Sequence, residues 1–318
     1  MPTHHLVTKA VITAAGRGTR LFPATRILRK ELFPLVAPDG YCKPALQLVV
    51  EEALSAGIEQ ICVVVPPGGE LLLREHFRAP SPEEREALAT RPGYAEQAEK
   101  LGQLAERVSY VLQPEPRGYG HAVYCAREYV GRQPFLLLLG DHVYLSREER
   151  SCARQLVETF MRSGVTVSGV QRTPAADLSR FGTVAGAPLP GREGLCQVRA
   201  IREKPTLEYA ERELRTPGLP ENTYLCFFGM HVFTPGLFAC LEEQLAAGRR
   251  EGGEVQLTCA QEALRERERY LALELAGSRH DLGVPEGLVE TQTALALRSP
   301  YRTAVYQATR EAEEEPCT

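Results

Sequence analysis

The first residues in the chain whose types and spacing could support chemistry are Ala14-Ala15-Gly16-Arg17-Gly18-Thr19-Arg20. This stretch is called the small-residue segment. Its small side chains would let a phosphate group approach the backbone N–H groups closely. A dinucleotide-binding fingerprint needs a third glycine where this chain has Leu21, and a P-loop needs a Gly-Lys-Ser/Thr sequence that this segment lacks. The segment therefore indicates a phosphate site of another kind.

Two cations, Arg20 and Lys30, flank a loop that contains Pro23. Arginine can bridge two phosphate oxygens while lysine acts as a point charge, so this pair favours a site for several phosphates at once. A glycine turn between solvated cations is the alternative that these residues alone leave open.

A carboxylate that could hold a metal ion follows an apolar run. Residues 135–139 are all apolar, which predicts a strand buried on both faces, and Asp141 follows it after a single glycine, Gly140. Its side chain is therefore expected at the mouth of a sheet rather than in the core. Mg²⁺ is a hard cation that takes few protein carboxylates, so Asp141 is a candidate ligand. A turn or cap residue is the alternative.

The elements that must position these residues alternate between strand and helix signals in the first half of the chain. Pro44 and Gly57 are typical of the two ends of a helix between the first two strands. This order predicts a doubly wound, mostly parallel α/β sheet, whose ligands bind at the carboxyl ends of the strands. The predicted strands are 9–13, 60–65, 109–112, 135–139 and 165–170, and the predicted helices are 44–57, 120–130 and 147–163.

The second half of the chain predicts shorter strands and a smaller, β-containing part. One domain is expected over 1–300, divided at about residue 175, with a C-terminal tail at 301–318 whose acidic end, 311–318, is expected to fray. The highly charged stretch 79–107 predicts exposed helices inserted into the fold. The remaining predicted strands are 181–185, 197–203 and 223–233, and the remaining helices are 235–247, 256–268 and 285–297.

Composition narrows the class of protein. A formal net charge of −4 over 318 residues, with cations dispersed among carboxylates, gives no reason to expect a nucleic-acid partner. No apolar run approaches the roughly 20 residues that cross a bilayer, and residues 1–8 lack the apolar stretch of a signal peptide. The nine cysteines show no metal-ligand spacing and are expected to be free thiols. A cytoplasmic protein without a membrane partner is expected.

Seven groups of residues closely resemble the signature motifs of the bacterial UDP-glucose pyrophosphorylase family. They occur in the family's order from residue 11 to about residue 283, which makes the set far more specific than any one motif. The resemblance implies the nucleotide-diphospho-sugar transferase type of fold, with a nucleotide-binding part to about residue 175 and a sugar-binding part beyond it. The groups are 14–35, 113–122, 140–141, 180–182, 203–205, 253–258 and 280–283.

The resemblance also implies roles for residues in these motifs. Arg20, Lys30 and Lys204 are the implied catalytic residues, and Asp141 and Asp281 the implied ligands of Mg²⁺. Asp281 is expected in a short loop. The implied substrate-binding residues are Ala14, Ala15, Gly16, Gly18, Thr19, Gln113, Gly118, Gly120, His121, Gly182, Glu203 and Gly229.

Several of these roles also have a physical basis. Gln113 offers a donor and an acceptor, which suits the imide edge of uracil. Glu203 and Lys204 are expected to end a strand with their side chains on opposite sides, one towards sugar hydroxyls and one towards a phosphate. His121 and His142 are not needed as acid-base groups, because a sugar phosphate is already an anionic nucleophile.

The activity implied by the resemblance is Mg²⁺-assisted transfer of a uridylyl group from UTP to glucose 1-phosphate, giving UDP-glucose and pyrophosphate by in-line displacement. Small-molecule substrates and a homo-oligomer are expected. Departures from the family's motifs, such as Arg117 for lysine and Cys259 for aspartate, put the identity of the sugar in doubt. The alternatives are a thymidylyltransferase, an enzyme for another sugar 1-phosphate, and a non-catalytic sugar-nucleotide sensor. The joint presence of the three cations and two aspartates argues against the sensor.

Overall fold

The structure, a computed structural model, describes residues 6–314. In chain order its strands are β1 (Lys9–Thr13), β2 (Pro34–Val36), β3 (Cys42–Pro44), β4 (Gln60–Val65), β5 (Val108–Leu112), β6 (Phe135–Leu139), β7 (His142–Ser146), β8 (Thr166–Pro174), β9 (Thr183–Pro188), β10 (Leu195–Arg202), β11 (Thr223–Phe233), β12 (Tyr270–Glu274) and β13 (Gly277–Asp281). The helices are α1 (Ala45–Ser55), α2 (Glu70–Phe77), α3 (Pro82–Ala89), α4 (Tyr94–Ala105), α5 (Tyr119–Cys125), α6 (Arg127–Val130), α7 (Cys152–Ser163), α8 (Leu207–Glu213), α9 (Gly236–Ala246), α10 (Leu257–Arg267), α11 (Pro285–Ala296) and α12 (Arg302–Glu314).

Nine strands form one sheet in the order β5-β4-β1-β6-β11-β8-β12-β10-β9. The first four of these are mutually parallel, as predicted for β1 and β4. Side chains of β1 alternate between two cores: Ala10 and Ile12 pack with α1 and α7 on one face, and Val11 packs with α5, α9 and α10 on the other. The doubly wound α/β fold is therefore confirmed.

The second half of the sheet is mixed and partly closed. β11 runs antiparallel to both β6 and β8, while β12 runs parallel to β8. β10 pairs with β12 and β9, and β9 pairs back to β11 through Thr183 and Val184. Five strands thus close a ring of pairings, and four of them lie beyond residue 175, whereas β8 precedes it. The prediction of shorter strands in the second half is wrong, because β10 and β11 span 8 and 11 residues and are longer than any strand of the parallel half.

A two-stranded ribbon of β7 and β13 lies beside this sheet. It was not predicted, and two predictions about the residues in and next to it are wrong. Residues 142–146 pair with β13, so the helix predicted from residue 147 begins only at Cys152. Ser151 caps it, because its hydroxyl oxygen accepts a hydrogen bond from the N–H of Arg154 at 3.1 Å. Asp281 was expected in a short loop, yet it ends β13 opposite His142.

The charged insertion and the C-terminus also form helices. α3 and α4 are the exposed helices predicted for 79–107, and the helix predicted at 120–130 breaks at Ala126 into α5 and α6. Residues 311–314, expected to fray, form the last turn of α12, while 315–318 lie outside the described residues. The eight cysteines among residues 6–314 carry free thiols. Within that range the structure contains no helix long and apolar enough to cross a membrane.

Candidate active site

Two adjoining cavities form one cleft at the carboxyl ends of β1 and β6. The larger cavity, of about 660 Å³, is bordered by the small-residue segment, and the smaller cavity, of about 340 Å³, by the second half of the sheet. Volumes of this order suit small-molecule ligands. The residues that border both cavities are Arg20, Tyr119, Leu139, Asp141 and Glu254.

The small-residue segment forms one wall of the larger cavity. Ala15, Gly16, Gly18 and Thr19 border this cavity, whereas Ala14 is buried in the core behind it. A Cβ atom on Gly16 would lie 3.2 Å from Lys30 Nζ, so the glycine leaves room for that ammonium group. The backbone of the small-residue segment is therefore exposed to the larger cavity beside the ammonium group of Lys30.

Two cations and two carboxylates meet where the cavities join. Lys30 Nζ contacts a carboxylate oxygen of Asp141, and Arg20 Nη2 lies 4.0 Å from Asp281 Oδ2. His142 Nδ1 lies 3.2 Å from Asp141 Oδ1. Burial raises the pKa of Asp141, but the hydrogen bond with His142 and the charge of Lys30 outweigh it, and the pKa is lowered. Asp141 is thus held as a carboxylate inside the cleft.

The same carboxylates form the candidate metal centre. One ligand atom each of Asp141, His142 and Asp281 lies within 4.8 Å of the others. The N–H of Gly283 donates to Asp281 Oδ1 at 2.7 Å, and a Cβ atom on Gly283 would lie 2.8 Å from both Arg20 Nη2 and Asp281 Oδ1. Two carboxylates are the hard oxygen donors that a divalent cation prefers, so the residues fit such an ion.

Gln113 and two glycines shape the far end of the larger cavity. Gln113 Nε2 donates to the carbonyl oxygen of Gly118 at 3.1 Å and lies 3.1 Å from His121 Nδ1. Gly118 has φ +112°, and a Cβ atom there would lie 2.8 Å from Glu254 Cβ. Gly120 and His121 are buried behind Gln113, where the N–H of Gly120 donates to the Val255 carbonyl oxygen at 2.8 Å. Neither of these two predicted substrate-binding residues borders the cavities: His121 contacts Gln113, and Gly120 is bonded to Val255.

The smaller cavity contains the remaining predicted residues: Gly182, Glu203, Lys204 and Gly229. Lys204 Nζ lies 3.9 Å from Glu203 Oε1, so the prediction that these side chains point to opposite sides is wrong. The reason is that β10 ends at Arg202, and Lys204 has φ +38°, so strand alternation does not extend to it. Burial raises the pKa of the Glu203 carboxyl, against the charge of Lys204.

The sequence of this chain is similar to those of known proteins. The profile of the nucleotidyl transferase family matches residues 9–297. The chain belongs to this family. It is 36% identical over 293 residues to the UTP–glucose-1-phosphate uridylyltransferase of Bacillus subtilis, covering 92% of each chain. It is 34% identical over 296 residues to the enzyme of that name from Staphylococcus epidermidis, covering 92% of this chain and 94% of the relative.

The fold of this nucleotidyl transferase is similar to those of solved structures. A UDP-glucose pyrophosphorylase complexed with UDP-glucose superposes with a TM-score of 0.73 at 27% identity, over 91% of this chain and 98% of that chain. The UTP-bound UGPase from Acinetobacter baumannii superposes with a TM-score of 0.77 at 26% identity, over 96% and 98% of the two chains. The resemblance to the bacterial UDP-glucose pyrophosphorylase family is thereby confirmed.

One residue of the nucleotidyl transferase cleft was missed by sequence reasoning. Glu31 borders the larger cavity but is only 2% exposed, and its Oε2 has no hydrogen-bond partner in the described part of the chain. Burial raises the pKa of Glu31 to about 7, although Lys30 and Arg29 oppose the shift. A glutamate beside a lysine usually lies in solvent, so the sequence carried no signal of this burial.

The pKa of Glu31 leads to a stability prediction. Because its pKa rises from 4.5 to about 7 on folding, the native state retains a proton that the unfolded state loses, and its contribution to stability falls as pH rises through this interval. Glu31→Gln should therefore match the wild type near pH 5 and exceed its free energy of unfolding by roughly 1–3 kcal/mol near pH 8. Urea denaturation at both pH values measures this difference. The exposed Glu221 provides the control Glu221→Gln, and an equal effect of Glu31→Gln at both pH values would contradict the prediction.

Proposed function

We propose that this nucleotidyl transferase transfers a uridylyl group from UTP to glucose 1-phosphate and releases UDP-glucose and pyrophosphate. The observation that carries the proposal is the convergence of Arg20, Lys30, Asp141, Lys204 and Asp281 on one cleft. The activity for which the two bacterial relatives are named, and the UTP and UDP-glucose bound in the similar solved structures, support this choice of substrates.

In this proposal the nucleotide lies in the larger cavity. Gln113 Nε2 donates to Gly118, which leaves Gln113 Oε1 to accept the imide N–H of uracil. The triphosphate lies along the small-residue segment, where backbone N–H groups, Arg20 and Lys30 offset its charge. Glucose 1-phosphate occupies the smaller cavity, with Lys204 on its phosphate and Glu203 on its hydroxyls.

The proposed reaction is an in-line displacement. A phosphate oxygen of glucose 1-phosphate forms a bond to the α-phosphorus of UTP, while the bond between that phosphorus and the oxygen bridging to the β-phosphorus breaks. The electron pair leaves with pyrophosphate. Since the nucleophile is already an anion, no general base is required, and the protein contributes alignment and charge stabilisation. Lys204 holds the attacking phosphate, and Arg20 and Lys30 stabilise the leaving pyrophosphate.

We further propose that Asp141 and Asp281 hold Mg²⁺ during the reaction. Their carboxylate oxygens fit a hard cation, and Gly283 orients one of them through its N–H. Bound Mg²⁺ supplies positive charge to the phosphate oxygens. Lys30 contacts Asp141 as well, so its ammonium group would add positive charge beside the residues that would hold the ion.

Pyrophosphate release tests the proposed function directly. With UTP, glucose 1-phosphate and Mg²⁺ we expect turnover that requires all three components. A panel in which dTTP replaces UTP, and other hexose 1-phosphates replace glucose 1-phosphate, should give lower kcat/KM for each substitute. Absence of pyrophosphate release from UTP and glucose 1-phosphate would refute the proposal, and preference for dTTP would replace it by thymidylyl transfer.

The setting of the reaction follows from the same proposal. UTP and sugar phosphates are cytoplasmic metabolites, and free thiols such as Cys62 and Cys152 suit a reducing compartment, so we propose a cytoplasmic enzyme. Assembly into a homo-oligomer, and the functional division of the chain near residue 175, stay predictions.

A further inference from the structure

A buried polar network lies beneath the smaller cavity. Its members are Ser168 on β8, His231 on β11, Gln261 on α10 and Tyr270 on β12, and none is more than 3% exposed. β11, β8 and β12 are neighbours in the sheet, and α10 covers them. Buried polar groups are costly unless their hydrogen bonds are satisfied, so the bonding pattern constrains the orientation of each group.

The orientation of the Gln261 amide indicates the tautomer of His231. Gln261 Nε2 can only donate, and it donates to Tyr270 Oη at 2.9 Å and to His231 Nδ1 at 3.3 Å. Ser168 Oγ lies 2.6 Å from both His231 Nδ1 and Tyr270 Oη, so its hydroxyl donates to the former and accepts from the latter. Because Nδ1 accepts, the neutral ring carries its proton on Nε2.

The Nε2–H group of His231 is left for a ligand. The ring is fixed by stacking on Phe233, with centroids 5.1 Å apart, and by an edge contact with Phe227 at the same distance. It borders the smaller cavity beside Gly182 and Glu203, and Nε2 has no hydrogen-bond partner among residues 6–314. Burial lowers the pKa of His231 to about 3, so the donor is uncharged throughout the physiological range.

We propose that His231 donates a hydrogen bond from Nε2 to one hydroxyl oxygen of the bound sugar and thereby contributes to sugar selectivity. This inference rests on the proposed function. In the proposed function the charged phosphate of the sugar phosphate is bound by the cation Lys204, whereas an uncharged donor matches an uncharged hydroxyl oxygen. Glu203 borders the same cavity and offers a hydrogen-bond acceptor. A sugar hydroxyl can therefore accept a hydrogen bond from His231, while another donates one to Glu203.

Two substitutions separate the role of Nε2 from that of the network. In His231→Asn the amide can place its oxygen where Nδ1 lies, which keeps an acceptor for Ser168 and Gln261 but removes the donor into the cavity. In His231→Gln the longer side chain can return a donor to the position of Nε2. We expect His231→Asn to lower kcat/KM for glucose 1-phosphate about tenfold, with KM for UTP unchanged, and His231→Gln to recover part of the loss.

Deoxyglucose 1-phosphates, each lacking one hydroxyl, identify the partner of His231. For one member of the series, wild type and His231→Asn should have the same kcat/KM, because that substrate lacks the oxygen to which His231 donates. An equal loss across the whole series would overturn the assignment of His231 while leaving the proposed function intact. A wild-type protein that releases no pyrophosphate from UTP and glucose 1-phosphate would overturn the proposed function itself.

The tautomer itself is measured in the unmodified protein, and His231→Asn serves only to assign the resonance. Nitrogen-15 NMR of histidine-labelled wild-type protein should show the resonance of His231, assigned by its loss in His231→Asn, as the Nε2–H tautomer from pH 5 to pH 9. A proton on Nδ1, or titration of the ring within this range, would overturn the inference.

Discussion

Replacement of Asp141 by alanine is expected to abolish Mg²⁺-dependent turnover, with kcat/KM lower by roughly a thousandfold. The carboxylate contacts Lys30 and His142 and lies within 4.8 Å of the candidate ligand atom of Asp281. Its removal deletes one proposed metal ligand and leaves the ammonium group of Lys30 without its carboxylate partner. Initial rates over a range of Mg²⁺ concentrations measure the effect.

A matched control for Asp141→Ala is Asp39→Ala. Asp39 also pairs with a lysine, Lys43, at 2.6 Å, but it borders neither cavity of the cleft. The control should retain wild-type kinetics. Full activity of Asp141→Ala in Mg²⁺ would count decisively against the metal assignment.

Replacement of Lys204 by alanine is expected to remove most of the turnover while the fold is retained. Lys204 supplies the cation for the attacking phosphate in the proposed reaction, and its side chain is 57% exposed, so little packing is lost with it. We expect kcat/KM for glucose 1-phosphate to fall by roughly a hundredfold or more, since a charge-assisted contact to the reacting phosphate is lost. The melting temperature should stay close to that of the wild type.

Lys100→Ala is the control for Lys204→Ala. Lys100 pairs with Glu96 at 2.9 Å on the exposed helix α4, so this variant removes a comparable lysine–glutamate pair away from the cleft. An unchanged kcat/KM in Lys204→Ala would refute the role of Lys204. A large fall in the melting temperature would assign it a structural role instead.

The parts of the fold that depend only on residues close together in the sequence could be predicted from the sequence. The apolar run 135–139 was sufficient to predict β6, and its end located Asp141 at the edge of the sheet. The strand 223–233 was likewise predicted with the bounds that β11 has. In both cases apolar and β-branched or aromatic residues fill a strand that is buried on both faces, so the signal is continuous along the chain.

The features that sequence reasoning missed depend on contacts between distant segments. The pairing of β7 with β13 joins residues near 144 to residues near 279, and no local pattern indicates that partner. The network of His231 draws its four members from three strands and a helix. Its residues are spread over 168–270, so each alone resembles an ordinary polar residue in an apolar surrounding.

Strand β11 limits the motions open to this protein. Its first residues pair with β8 and β9 in the ring of five strands, and its last residues pair with β6 in the parallel half. Because one continuous strand is shared, rotation of the two parts as rigid bodies about a flexible linker would break main-chain hydrogen bonds. We therefore expect adjustment to substrates to be confined to short connecting segments around the cleft, such as 14–20 and 203–206, with the sheet serving as a stationary frame.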